Sequence, residues 1–345
     1  MKYPTRECVV FRAEQLVPVT WRKFAAEGPV RAFNPGLLRD GDGWVFTFRI
    51  VGPDGRRRIG LCRLNRALHV VEGTQVAWSD HVRFPPNSRH PDVVAQWFAD
   101  PRLYRFDGRM FIHWNSGWHE PQNCQFVQAL DPATLLPSGK PRELVLRGQR
   151  QKLEKNWTFF ACDGGSGHAV YSIMPHRVLE FSWAGTGEIS FDEVSRVDWS
   201  LHGYPANHGG LRGGAPPVLA DGEYWSFCHS VHDAPDGYRY LPAVYAFSAA
   251  PPFAPTAGPL TPLELGNPFG GQRTHERLNP AVGEVIYPCG AARDGARWLV
   301  SHGINDEYCA ISMVEHSEVL ATVQRVEGFG RESSVESRAP GGPKR

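Results

Sequence analysis

The sequence predicts an all-β fold, a five-bladed β-propeller. Three observations carry that prediction: a strand–turn–strand phrase that recurs five times, the near-regular spacing of its glycines, and a composition suited to half-buried sheet surface. The phrase first reads Asn34-Pro35-Gly36-Leu37-Leu38, then Asp42-Gly43, then Trp44-Val45-Phe46-Thr47-Phe48-Arg49. It returns as Asp100-Pro101-Arg102-Leu103-Tyr104 with Asp107-Gly108 and Met110-Phe111-Ile112-His113-Trp114. The third copy is Asn156-Trp157-Thr158-Phe159-Phe160 with Asp163-Gly164 and Ala169-Val170-Tyr171. The fourth is Ala215-Pro216-Pro217-Val218 with Asp221-Gly222 and Tyr224-Trp225-Ser226-Phe227, and the fifth Tyr287-Pro288-Cys289-Gly290 with Asp294-Gly295 and Trp298-Leu299-Val300.

Asp-Gly between two apolar runs is a hairpin signal, because the tight turn needs positive φ and glycine supplies it without strain. The turn glycines are 65, 56, 58 and 73 residues apart. That step is too long for one hairpin and suits a sheet of about four strands, with longer loops than the roughly 40–50-residue repeats of common propellers. A four-stranded sheet cannot bury both faces alone, so radial stacking around a channel is expected, in preference to five unrelated hairpins in a β-sandwich. The eleven Trp and nineteen Phe fit half-buried strand surfaces. Residues 1–30 read as a lead-in that packs on the wheel or completes its last blade, residues 31–325 as the propeller, and residues 330–345 as a disordered tail.

Charge excludes some partners. The formal net charge of +1 gives no footprint for nucleic acid or an anionic membrane. No run of about 18 apolar residues exists, so no membrane span is expected. The N-terminus lacks the apolar stretch of a signal peptide. Seven Cys with no CxxC pair, several inside apolar strands, imply reduced thiols and a cytoplasmic location. Oligomeric state is not legible.

The first strand of a propeller blade lines the channel, and its start crowds the channel mouth. Here those starts carry Asn34, Asp100 and Glu154-Lys155-Asn156, then the glycine-rich Arg212-Gly213-Gly214 and Cys289-Gly290. Charges are rarely buried unless paired. Asp100 and Lys155 are therefore either a structural ion pair that plugs the hub or part of a polar site in the funnel. The five turns should share the face opposite that funnel.

These residues carry a resemblance. Phe33-Asn34-Pro35 with Phe48-Arg49 resembles the first blade of glycoside hydrolase family 130, the β-mannoside phosphorylases and related hydrolases. Asp100-Pro101-Arg102 resembles that family's Glu-Asp-Pro-Arg motif, whose Asp is the proton donor. Gly213-Gly214-Ala215-Pro216-Pro217, followed by Phe227-Cys228-His229, resembles its glycine-proline blade with a phosphate-contacting His. Ser301-His302-Gly303-Ile304-Asn305-Asp306 resembles its terminal segment, whose Asp holds the sugar. The order is conserved over roughly residues 30–315. Ala99 replaces the family's Glu, Asn305 stands where Ala is usual, and Glu154-Lys155-Asn156-Trp157 matches its Asn-Lys-Asp segment only loosely. The mannosyltransferase/phosphorylases of glycosyltransferase family 108 are similar in fold.

The resemblance implies an enzyme that breaks or forms glycosidic bonds, mannoside-directed and inverting. Its alternatives are a nucleotide-sugar-dependent glycosyltransferase and a non-catalytic sugar-binding propeller. Asp100 is the expected acid, with a pKa raised by burial. Cleavage also needs a carboxylate-activated water, a nucleophile or an anion on the opposite face of the sugar. Glu154 is the expected second carboxylate, while Lys155 beside it marks a rival anion site. Arg49 and Asp306 are expected on the sugar with support from Asn34, Arg102 and Asn156; Lys155 and His229 face phosphate or a nucleotide diphosphate. Arg147 and Arg150 are nearby candidates for that anion. No cofactor is expected beyond inorganic phosphate or a nucleotide sugar as co-substrate. No metal is expected either, since His229 and His232 fall on opposite faces of a strand. Trp114, Trp118, Trp157 and Trp225 are candidates to stack on sugar, against the commoner role of strand Trp in the core.

Overall fold

A computed structural model describes residues 7–84, 97–116, 123–148, 154–201, 203–235 and 237–326. The expected tail at 330–345, Trp118 and Arg150 lie outside the described residues. The chain is mostly β with a few short helices, and its strands are hydrogen-bonded mainly to their sequence neighbours. After β1 (Cys8–Phe11), β2 (Arg31–Asp40), β3 (Gly43–Val51) and β4 (Arg57–Leu64) form a first antiparallel meander. Bridges from Leu61 to Val76 and Leu64 to Val70 extend its outer edge. β5 (Ala99–Phe106), β6 (Arg109–Asn115), β7 (Gln125–Leu130) and β8 (Pro137–Leu146) form the second. β9 (Thr158–Asp163), β10 (Ser166–Ser172), β11 (His176–Ser182) and β12 (Ile189–Val197) form the third.

The fourth meander holds β13 (Gly210–Arg212) and β14 (Val218–Ala220), both paired with β15 (Glu223–His232), then β16 (Tyr238–Ser248) and β17 (Pro255–Pro259). The fifth is β18 (Val282–Asp294), β19 (Arg297–Ile304) and β20 (Tyr308–Glu315), and β1 pairs antiparallel with β20 at its outer edge. A final strand, β21 (Val323–Arg325), pairs with β17. Parallel pairings of β8 with β12 and of β16 with β18 join neighbouring meanders.

Each meander is apolar on both faces, so its strands feed two cores. On β3, Trp44, Phe46, Phe48 and Ile50 pack with Leu299, Cys309 and Ile311 of the fifth meander, while Val45 packs with Leu103 and Ile112 of the second. Strand alternation produces this split. On β15, Tyr224 and Cys228 face Phe160 and Val170 of the third meander, while Trp225 and Phe227 face Trp298 and Val300 of the fifth. Tyr104 and Phe111 meet Trp157 and Phe191 between the second and third. The apolar clusters thus run from first to second and onward to the fifth, and the cluster around Phe11 and Trp44 closes fifth on first.

The five turns are two-residue loops, displaced by one residue from Asp-Gly in three cases. The loops are Gly41-Asp42, Asp107-Gly108, Gly164-Gly165, Asp221-Gly222 and Gly295-Ala296. Each contains a glycine at positive φ. Their ends adjoin one another: Arg39 pairs with Asp294 at 2.7 Å, Arg105 with Asp40 at 3.2 Å, and Asp107 accepts from the Gly164 amide at 3.1 Å. At the other end of the first strands, backbones of neighbouring meanders abut. A Cβ on Gly214 would lie 2.9 Å from the Pro288 carbonyl oxygen, and one on Gly290 2.5 Å from the Leu37 nitrogen, so neither position admits a side chain. None of the seven cysteines forms a disulfide. Among the described residues no helix is long and apolar enough to cross a membrane.

Candidate active site

The site is built by two matching irregularities. Phe33 pairs with Arg49 and Gly36 with Thr47, so Asn34-Pro35 drops out of the ladder. Ala99 pairs with Asn115 and Arg102 with His113, so Asp100-Pro101 drops out in the same way. Proline has no N–H to contribute there, and a bulge re-aims the residue before it. Asn34 and Asp100 adopt φ of 52° and 51°, and Asn156, at the start of the third meander, 65°. Asn and Asp enter this left-handed region more readily than other side-chain-bearing residues.

These residues line a cavity of about 320 Å³ to which all five meanders contribute. Asn34, Arg49, Asp100, Lys155, Asn156, His229 and Asp306 all reach it. Asp100 is the most constrained: Oδ1 accepts from Asn34 Nδ2 at 3.0 Å and lies 3.6 Å from Arg49 Nη1, while Oδ2 accepts from Asn115 Nδ2 at 3.3 Å. His229 stacks on Tyr240 at 5.1 Å and meets the edge of Tyr287 at 4.7 Å. The Tyr287 hydroxyl donates to Asn156 Oδ1 at 3.0 Å and accepts from Arg102 at 2.7 Å.

Several residues expected in the site sit elsewhere. Glu154 is buried away from the cavity lining. Its carboxylate accepts from Trp157 Nε1 at 3.2 Å and from the Tyr171 hydroxyl at 3.1 Å, and its carbonyl takes the Asn123 and Gln125 amides. Lys155 and Asn156, which follow it, both line the cavity. Arg102 is likewise fully buried behind the lining, holding the Gly214 carbonyl at 2.6 Å and the Tyr287 hydroxyl; it supports the site from below. Trp114, Trp157 and Trp225 are core residues. Arg147 is exposed and pairs with Asp192 outside the cavity.

The Asp100 carboxyl also departs from the expectation. Burial is the largest single influence on its carboxyl and pushes it up. Arg49, Arg102 and Lys155, with the Asn34 bond, together outweigh burial and hold it below the ordinary carboxylate range. Asp306 goes the other way: burial raises it, Asp100 adds to the rise, and Arg49, Arg273 and Arg31 offset only part. Burial also lowers Lys155, and it lowers His229 well below its usual value, with Arg212 and Lys155 adding to the effect. The cavity thus holds an ionised Asp100 within a positive environment and a neutral imidazole.

Several lining residues went unread in the sequence: Asn115, Tyr240, Tyr287, Arg57 and Trp97. Asn115 had a usable signal. On the second strand of its repeat it pairs with Ala99, as Arg49 pairs with Phe33.

The sequence matches no protein-family model and no curated protein. Solved structures do match. One is β-1,2-mannobiose phosphorylase from Listeria innocua, 14% identical, covering 91% of this chain and 98% of the other at a TM-score of 0.60. Another belongs to the glycoside hydrolase family 130 of mannoside phosphorylases, with hydrolases that target β-1,2-mannosidic linkages in Candida mannan. It is 11% identical, covers 92% and 96%, and has a TM-score of 0.61. A GDP-Man-dependent mannosyltransferase from Leishmania mexicana, 10% identical, covers 91% of each chain at 0.50. The expected resemblance to family 130 is met at the level of the fold, which this chain shares with mannoside phosphorylases and glycosidases along nearly its whole length.

Proposed function

We propose that the chain is a five-bladed β-propeller enzyme that cleaves or forms mannosidic bonds with an anionic co-substrate, phosphate in the first instance. The cycle of apolar clusters that closes the fifth meander on the first supports the five blades. One observation carries the chemistry. Asp100 is held on the cavity wall by Asn34, Asn115 and Arg49, while Lys155 and His229 line the same cavity. A carboxyl fixed by two amides is a positioned proton carrier, and the lining cations suit an oxyanion.

Asp100 is ionised in the free protein, so it must gain a proton before it can protonate a leaving oxygen. The charges that keep it ionised include Lys155 and Arg49. An oxyanion bound by those groups cancels their field and raises the Asp100 pKa, so arrival of the co-substrate arms the acid. Attack by that anion on the sugar face opposite Asp100 is a single displacement, with inversion. With Glu154 turned into the core, phosphorolysis is favoured over hydrolysis by the Asp100–Glu154 pair. The second reading is transfer from a nucleotide sugar, whose diphosphate would occupy the same cations.

Incubation with β-mannosides plus phosphate, and separately with GDP-mannose plus acceptor sugars, tests the proposal. Phosphate-dependent release of a sugar phosphate supports phosphorolysis, and phosphate-independent transfer supports the second reading. Sugar binding without any turnover across the panel leaves a sugar-binding propeller and overturns the enzyme reading.

A further inference from the structure

Strand β4 opens within a run of three arginines, Arg56-Arg57-Arg58. Alternation sends Arg57 and Arg58 to opposite sides. Arg58 is matched: Asp54 pairs with it at 2.6 Å, and its guanidinium lies 4.5 Å over Phe24. Arg57 turns into the cavity, where its guanidinium lies 3.9 Å over the ring of Trp97, itself a lining residue. Arg57 donates to the Gly55 carbonyl at 2.5 Å. Among the described residues, the ion pairs of this region join Asp54 to Arg58 and Asp100 to Arg49, and no carboxylate pairs with Arg57 or Arg31.

Arg57 is half-buried, and burial and the like charge of Arg49 push its pKa down to about 10. Asp306 is its one opposing influence, against Arg49 and Arg31. A partly buried cation crowded by other cations is costly unless an anion completes it. Arg49 adjoins both positive groups, and their other neighbours differ: Lys155 responds to Asp100, Arg212 and Arg102, whereas Arg57 responds to Asp306 and Arg31. The indole fixes the plane of the guanidinium, which reduces the entropy lost when it forks onto an oxyanion.

We propose that the Arg57–Trp97 end of the cavity recognises an acidic sugar, one carrying a carboxylate or phosphate substituent, as the partner of the mannosyl unit. The inference rests on the sugar-acting reading above and names the substrate class of that same site. The oxyanion is the shared chemistry, and its two sources are separated by experiment.

Calorimetric titration with three β-linked mannosyl disaccharides is the test, the second sugar being mannose, mannuronic acid or mannose 6-phosphate. The wild-type protein should bind at least one acidic disaccharide about tenfold tighter than the neutral one, as a charge-assisted contact implies. The better of the two acids identifies the substituent. Arg57→Gln should bring the acidic-to-neutral ratio to about one, Arg57→Lys should retain part of it, and Arg58→Gln, on the other side of the strand, should leave it in place. Melting curves establish that each variant is folded, and Arg57→Lys carries the test if Arg57→Gln is not. Equal binding of neutral and acidic sugars by wild type overturns this inference alone, as does a ratio that survives Arg57→Gln. Failure to bind any of the three overturns the sugar-acting reading together with it.

Discussion

The Asn34 amide donates to the Asp100 carboxylate at 3.0 Å, joining equivalent left-handed positions at the starts of two neighbouring meanders. The contact depends on both X-Pro bulges: restoring ladder pairing at either would turn one partner out of the cavity. Arg49 and Asn115, the cross-strand partners of the residues preceding those bulges, supply the other contacts to Asp100. One repeat feature, used twice, thereby builds most of the environment of a single carboxylate.

That environment sets a pH response. Without an anion, the Asp100 carboxyl should titrate below the ordinary carboxylate range, because Arg49, Arg102 and Lys155 favour its charged form. Saturating phosphate should move the midpoint upward. Carbon-13 NMR of the Asp100 carboxyl with and without phosphate reads both values, and a midpoint that phosphate leaves unmoved contradicts the arming step.

Asp100 and Asp306 should have opposite effects on stability. A depressed carboxyl such as Asp100 contributes stability above its unfolded pKa, lost as pH falls through the folded value. A raised one such as Asp306 costs stability once pH rises from its unfolded pKa through its folded value. Asp306→Asn should therefore raise the melting temperature at neutral pH, and the gain should vanish in acid, where both forms are neutral. Asp100→Asn should lower it at neutral pH. Thermal melts across pH check the pair, and a destabilised Asp306→Asn at neutral pH contradicts the assignment.

Lys155 and His229 line the cavity as candidate anion contacts. Lys155→Ala and His229→Ala should weaken phosphate binding more than they slow chemistry. Their rate deficit should shrink as phosphate is raised, because mass action offsets a binding loss and not a loss in the chemical step. Initial rates over a phosphate series decide this; a deficit constant at all concentrations assigns them to the chemical step.

What was legible in the sequence follows from what a repeat displays. The hairpins were visible because their turns need glycine at positive φ, although at Gly41-Asp42, Gly164-Gly165 and Gly295-Ala296 the loop is one residue out of step with Asp-Gly. Asn34, Asp100 and Asn156 were visible because equivalent repeat positions carried polar groups where a core would not. Glu154 stands beside a repeat start that carries polar groups, which made it the expected second carboxylate, whereas its carboxylate is taken up inside the core by Trp157 and Tyr171. Burial was expected to raise the Asp100 pKa; the surrounding cations, Arg102 among them from behind the wall, reverse that sign. Tyr240, Tyr287, Arg57 and Trp97 reach the cavity only through the assembly of different meanders, which no local pattern announces.

The most direct test is the effect of Asp100→Asn on turnover and on sugar affinity, measured on one β-mannoside at saturating phosphate. The amide keeps the shape of the carboxyl and cannot deliver a proton. The account predicts an unchanged sugar Kd and a kcat lowered by about 10²–10⁴-fold, the usual worth of general acid catalysis. A variant that turns over at the wild-type rate would contradict it.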